Sequence, residues 1–122
     1  MAPALRALRG ATTVDSDTPE QVTERTQALL TEMLESNEID KEDLVSILFT
    51  ATGDIVSMFP ATAARALGLG DVPLICAREL EVVGSTPHCV RVMMHVTTDR
   101  RRVQLHHVYQ HGARGLRDDL PE

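Results

Sequence analysis

VPLICARELEVVGSTPHCVRVMMHVT, residues 72–97, holds both cysteines of the chain, a Cys-x-x-Glu pair (Cys76, Glu79) and an arginine inside an otherwise apolar strand. Over residues 90–97, strict alternation puts Val90, Val92, Met94 and Val96 on one face and Arg91, Met93 and His95 on the other. A guanidinium on a half-buried strand must be paired or must meet an anion, because an unpaired buried charge is costly. The rest of the chain is expected to supply that anion site.

Working outward, residues 5–13 form a first strand, with Leu5, Ala7, Arg9 and Ala11 on one face. Arg9 thus also sits among small and apolar neighbours, the alternative being a strand-edge residue pointing to solvent. Gly10 beside it lets another backbone or a ligand approach closely. Thr18-Pro19-Glu20-Gln21 opens a helix: Thr18 as N-cap, Pro19 at the first helical position, and Gln21 placed to close a capping box. That helix is expected to reach about Asn37, with Val22, Leu29, Leu30, Met33 and Leu34 as its apolar stripe.

Residues 44–50 are a nearly continuous apolar run of strand length, which predicts a central strand covered on both faces. Phe59-Pro60 starts a short helix through Leu67, stopped by Gly68. Residues 72–75 lead as a strand into a turn at Cys76–Glu79, and residues 80–83 continue extended. A further segment, 103–109, precedes the tail. This order predicts one α+β domain spanning residues 1–122: a mixed β-sheet with helices on one side. Such a sheet leaves its other face bare, so oligomerisation is expected.

Several function classes drop out. The 122 residues carry a formal charge of -6 and no basic block beyond Arg100–Arg102, which argues against nucleic acid. No apolar run approaches the ~20 residues of a membrane span, and no signal-peptide pattern opens the chain, so a cytoplasmic protein with free thiols is expected. His106, His107 and His111 lack the converging ligands a zinc site needs and read as surface histidines. No spacing supports a Cys–His nucleophile or a phosphate loop. What remains is a set of arginines with one Glu, one Cys and one Tyr. It suits an anion bearing more than one carboxylate, since each arginine can grip a carboxylate bidentately. A non-catalytic regulatory module binding a small carboxylate is the competing class, and a small trimeric enzyme of another kind, such as an imine hydrolase, is a third.

Leu8-Arg9-Gly10-Ala11-Thr12-Thr13-Val14, Phe59-Pro60-Ala61, Val72-Pro73, Cys76-x-x-Glu79, Cys89-Val90-Arg91-Val92-Met93-Met94, His107-Val108-Tyr109 and Ala113-x-x-Leu116-Arg117-x-Asp119 occur in one order along nearly the whole chain. Each motif is weak, but the ordered set resembles the bacterial trimeric, barrel-type chorismate mutases. The resemblance implies a homotrimer packed as a pseudo-α/β barrel with active sites in the clefts between subunits. It also implies the Claisen rearrangement of chorismate to prephenate, on the shikimate route to Phe and Tyr. That reaction is pericyclic and calls for no nucleophile, metal or cofactor.

Carried over by position, the resemblance gives Arg91 the ether oxygen, Arg9 a substrate carboxylate, and Glu79 the ring hydroxyl, with Cys76 beside it. Tyr109 is implied as a donor to a carboxylate. Phe59, Ala61, Leu74 and Leu116 are implied as apolar walls, and Arg65 and Arg117 as positive charge near the mouth. Thr62 stands where several relatives carry a lysine, and Ile75 replaces a small polar residue. Residues 116–122 are expected to be mobile and to close over bound ligand.

Overall fold

The computed structural model describes residues 3–116. Arg117 and the rest of the tail lie outside them, and so, Leu116 apart, does the segment expected to close over ligand. Five strands form one mixed sheet: β1 (Ala4–Thr13), β2 (Leu44–Ala51), β3 (Leu74–Arg78), β4 (Cys89–Thr98) and β5 (Val108–Tyr109). Their spatial order is β3-β2-β4-β1-β5. β4 is the hub, antiparallel to both β1 and β2, while β3 runs parallel to β2 and β5 parallel to β1. The helices are α1 (Pro19–Ser36) and α2 (Pro60–Ala64), the latter continuing over Arg65–Leu69 as a wider, π-type turn.

α1 forms where the sequence places it. Thr18 caps it by accepting the Gln21 N–H at 3.1 Å, and Val22, Leu29, Leu30 and Met33 are fully buried. The capping box closes on only one side. Gln21 Oε1 accepts from the backbone N–H groups of Asp15 and Ser16, because the Thr18 N–H is already taken by the Ser16 carbonyl at 3.0 Å. Both helices pack with Leu8, Ile47, Phe49, Val90, Val92, Met94 and Val96 into one aliphatic core on one side of the sheet.

Two expectations are corrected. β2 is hydrogen-bonded along both edges, yet only Leu44, Ile47 and Phe49 are covered. Val45 and Leu48 remain 44% and 37% exposed, since both helices lie on the same side. The bare face also carries Leu5 and Ile75, each 63% exposed. Second, Cys76 lies within β3 rather than in a turn, paired with Phe49, and the chain leaves the strand only at Glu79. Residues 80–83 then form no strand, and Leu80, Val82 and Val83 are exposed.

On the core side, Gly10 is approached closely by side chains of α1. A Cβ there would fall 2.4 Å from Met33 Sδ and 3.2 Å from Leu29 Cδ1, so the missing side chain is what lets α1 lie close on β1. Gly68 sits at φ +100°, where an L side chain is strained, and ends the helical run near its expected stop.

Candidate active site

Register brings the two strand arginines together. Arg91 faces Ala11 and Arg9 faces Met93 across the β1–β4 ladder, so Arg9 and Arg91 are diagonal neighbours on the bare face. Tyr109 comes alongside Ala11 through β5, and Thr50 of β2 pairs with Arg91 from the other side. With Leu48, Met93 and Leu116 they line a cleft of about 280 Å³.

Glu79 is fixed at the edge of this cleft. Thr50 Oγ1 donates to Glu79 Oε2 at 2.8 Å, the Leu80 N–H donates to Oε1 at 3.1 Å, and Arg91 Nε stands 3.4 Å from Oε2. The Thr50 hydroxyl first, then the Leu80 amide and the Arg91 charge, hold the carboxyl below its ordinary range against the opposing effect of burial. Glu79 is therefore an ionised acceptor at neutral pH. Arg91 Nε is buried and makes no aligned hydrogen bond, although the Arg91 side chain as a whole is 41% exposed. The anion demanded by the strand arginine is thus met in part within the chain, by Glu79, with donor capacity left over. Burial pushes the Cys89 thiol up, overcoming the lowering influence of Arg91 beside it. A buried, protonated thiol is no nucleophile.

The other expected residues lie elsewhere. Phe59 and Cys76 line a second, larger cleft of about 630 Å³ between the start of α2 and β3, together with Val56, Met58, Thr62 and Ala77. Ala61 is buried in the core at 4% exposure, and Leu74 packs half-buried against it. Arg65 is exposed on the π-type turn and lines neither cleft. The expected residues therefore divide between two separate clefts, one bearing Arg9 and Arg91 and the other Phe59 and Cys76.

Residues 5–120 match the family model described as chorismate mutase type I. The chain belongs to that family. Chorismate mutase AroH of Thermus thermophilus is 46% identical over 117 residues, covering 95% of this chain and 96% of that protein. Chorismate mutase AroH of Bacillus subtilis (strain 168) is 44% identical over the same length, covering 95% and 92%. Among solved structures, the chorismate mutase Cth-682 of Clostridium thermocellum superposes with a TM-score of 0.88 at 46% identity, covering 89% of this chain and 97% of that one.

For a member of the chorismate mutase type I family, two residues escape a reading of the sequence. Thr50, the main support of Glu79, carries as its only signal a hydroxyl at the end of an apolar run. His107 is half-buried rather than a surface histidine, and its Nδ1 accepts the backbone N–H of Arg9 at 2.9 Å. No spacing in the sequence announces that contact. Among the described residues, no three or more His, Cys, Asp or Glu side chains gather as a metal site would require, and no helix is long and apolar enough to cross a membrane.

Proposed function

We propose that this protein is a chorismate mutase, an isomerase of aromatic amino acid biosynthesis that converts chorismate to prephenate. Arg91 beside Glu79 carries the reading: a donor with spare capacity faces an ionised acceptor in a cleft that already holds Arg9 and Tyr109. The substrate presents the matching groups, with two carboxylates, an ether oxygen and a ring hydroxyl.

In this reading Arg91 hydrogen-bonds the ether oxygen, where negative charge grows as the C–O bond breaks. A fixed donor aimed at developing charge favours the transition state over the ground state, typically by ~3–4 kcal/mol. Arg9 and Tyr109 hold carboxylates and keep the substrate in the compact, chair-like conformer in which the reacting carbons meet. Glu79 accepts from the ring hydroxyl and so orients the ring. Electron movement is concerted within the substrate, and the protein supplies shape and electrostatics.

The same reading makes the active assembly a homotrimer, closed as a pseudo-α/β barrel through the bare sheet face. Exposed Leu5, Leu48 and Ile75 are the kind of apolar surface that a second copy covers. Each working site then joins the arginine half-site of one copy to the Phe59 and Cys76 half-site of its neighbour. Ala61 and Leu74 shape that second half from beneath, and Arg65 and Arg117 add positive potential near its mouth. A cytoplasmic setting suits the two free thiols.

Loss of chorismate's ultraviolet absorbance on adding purified protein, with prephenate identified as product, is the test. Saturable loss is expected. No acceleration over the uncatalysed rearrangement by folded, assembled protein would contradict the reading and leave a carboxylate-binding module.

A further inference from the structure

β5 consists of Val108 and Tyr109 and pairs only with Gly10 and Ala11, so its ladder stops one residue short of Arg9. The Arg9 N–H points to that open rung, and His107 Nδ1 fills it at 2.9 Å in place of a backbone carbonyl. A partly buried N–H needs an acceptor, and a ring nitrogen accepts only while it carries no proton. The contact therefore requires a neutral imidazole with its proton on Nε2. Protonation at Nδ1 would set a donor against a donor.

Arg9 joins two regions. It lines the cleft with Arg91 and also the adjoining cleft that His107 lines. We propose that His107 is a positioning residue: its unprotonated Nδ1 fixes the β1 backbone at Arg9 for carboxylate binding, and protonation of His107 releases that hold and weakens substrate binding in acid. This rests on the role given to Arg9 above.

The groups around His107 favour its neutral form. Arg6 and Arg9 of β1, His95 of β4, and Arg102 and His106 of the preceding segment share its clefts. Glu32 of α1 is the acid among them, and it accepts from Gln110 Nε2 at 2.7 Å. Burial first, then His106, holds the imidazole below the ordinary histidine range. Because the value in the folded protein is lowered, the Arg9 contact is intact at neutral pH and is lost as pH falls through that lowered value. The Glu79 carboxyl is held low as well, and the non-titrating His107→Asn variant separates its effect from that of His107.

The experiment measures kcat and KM for chorismate across acidic and neutral pH in the wild-type protein and in Arg9→Ala, His107→Leu and His107→Asn. The Asn Oδ1 reaches about as far as the imidazole Nδ1, accepts, and does not titrate. Expected is a wild-type KM that rises in acid while kcat changes little. His107→Leu should raise KM about tenfold at neutral pH, the scale of one lost hydrogen bond, and show no further rise in acid, where wild type approaches it. His107→Asn should keep a low KM and lose the acid rise. With wild type active and Arg9→Ala raised in KM, an unchanged KM and pH profile in His107→Leu would overturn the inference and leave the function standing. His107→Asn matching a raised His107→Leu would overturn the acceptor role. An unchanged KM in Arg9→Ala would overturn the Arg9 assignment and this inference with it. Should His107→Leu fail to fold, the acid limb of His107→Asn decides alone: flat supports the inference, and a limb like wild type overturns it.

Discussion

Arg91 and Glu79 face each other at 3.4 Å, and the Thr50 hydroxyl donates to the Glu79 carboxylate. In the proposed mechanism, Arg91→Ala removes the donor aimed at the breaking C–O bond. The expected loss in kcat is about 10²–10³-fold, with helical content and assembly unchanged by circular dichroism and light scattering. A variant that unfolds instead would make Arg91 structural. Thr50→Val tests the support. Without the hydroxyl, the carboxyl loses the largest influence holding its pKa down, so the acid limb of kcat/KM should move to higher pH. The same shift bears on stability. The lowered folded value means that ionised Glu79 stabilises the fold above the ordinary carboxylate range, and this contribution is lost as pH falls through the lowered value. Acid unfolding of Thr50→Val should accordingly begin at higher pH, and an unmoved limb would deny Thr50 its role.

Elements differ in how much of themselves the sequence reveals. α1 and β4 are legible because period and burial agree: Val22, Leu29, Leu30 and Met33 recur at helical spacing, and Val90, Val92, Met94 and Val96 alternate, all on covered faces. β3 and the segment after Asp99 are not. β3 draws its hydrogen bonds from β2, far away in sequence, so Cys76 looks like a turn residue until Phe49 is placed beside it. The segment before β5 is held by Asn37, fully buried at the end of α1. Its Nδ2 donates to the Met33 and His106 carbonyls at 2.8 and 2.9 Å, and its Oδ1 accepts the His106 N–H at 2.7 Å. Asn37→Ala should cost about 2–3 kcal/mol in denaturant unfolding, since it strands buried polar groups. A loss below about 0.5 kcal/mol, the scale of a neutral surface change, would contradict the clamp. Gly10→Ala should cost about 1–3 kcal/mol by pushing Met33 and Leu29 off β1. A melting temperature equal to wild type would show that the flexible Met33 side chain absorbs the clash.

At the scale of the molecule, the chain is a sheet with helices on one side and an apolar, arginine-bearing face on the other. Which residues bear charge and which strands carry them is written in alternation, so Arg9 and Arg91 both stand out as charges set among small and apolar strand neighbours. What alternation cannot convey is which residues meet across chains. Phe59 and Cys76 lie in their own cleft, apart from Arg91, and in the proposed assembly a neighbouring copy unites the two. Subunit mixing tests that claim most directly. Arg91→Ala disables one half-site, and Phe59→Asp places a negative charge in the other, where it repels a dianionic substrate. Each variant alone should turn over chorismate poorly. Co-refolded, they should form mixed assemblies in which some sites join two intact halves, and chorismate consumption should recover well above either parent. Mixed assemblies that form but stay as inactive as their parents would contradict a site shared between subunits.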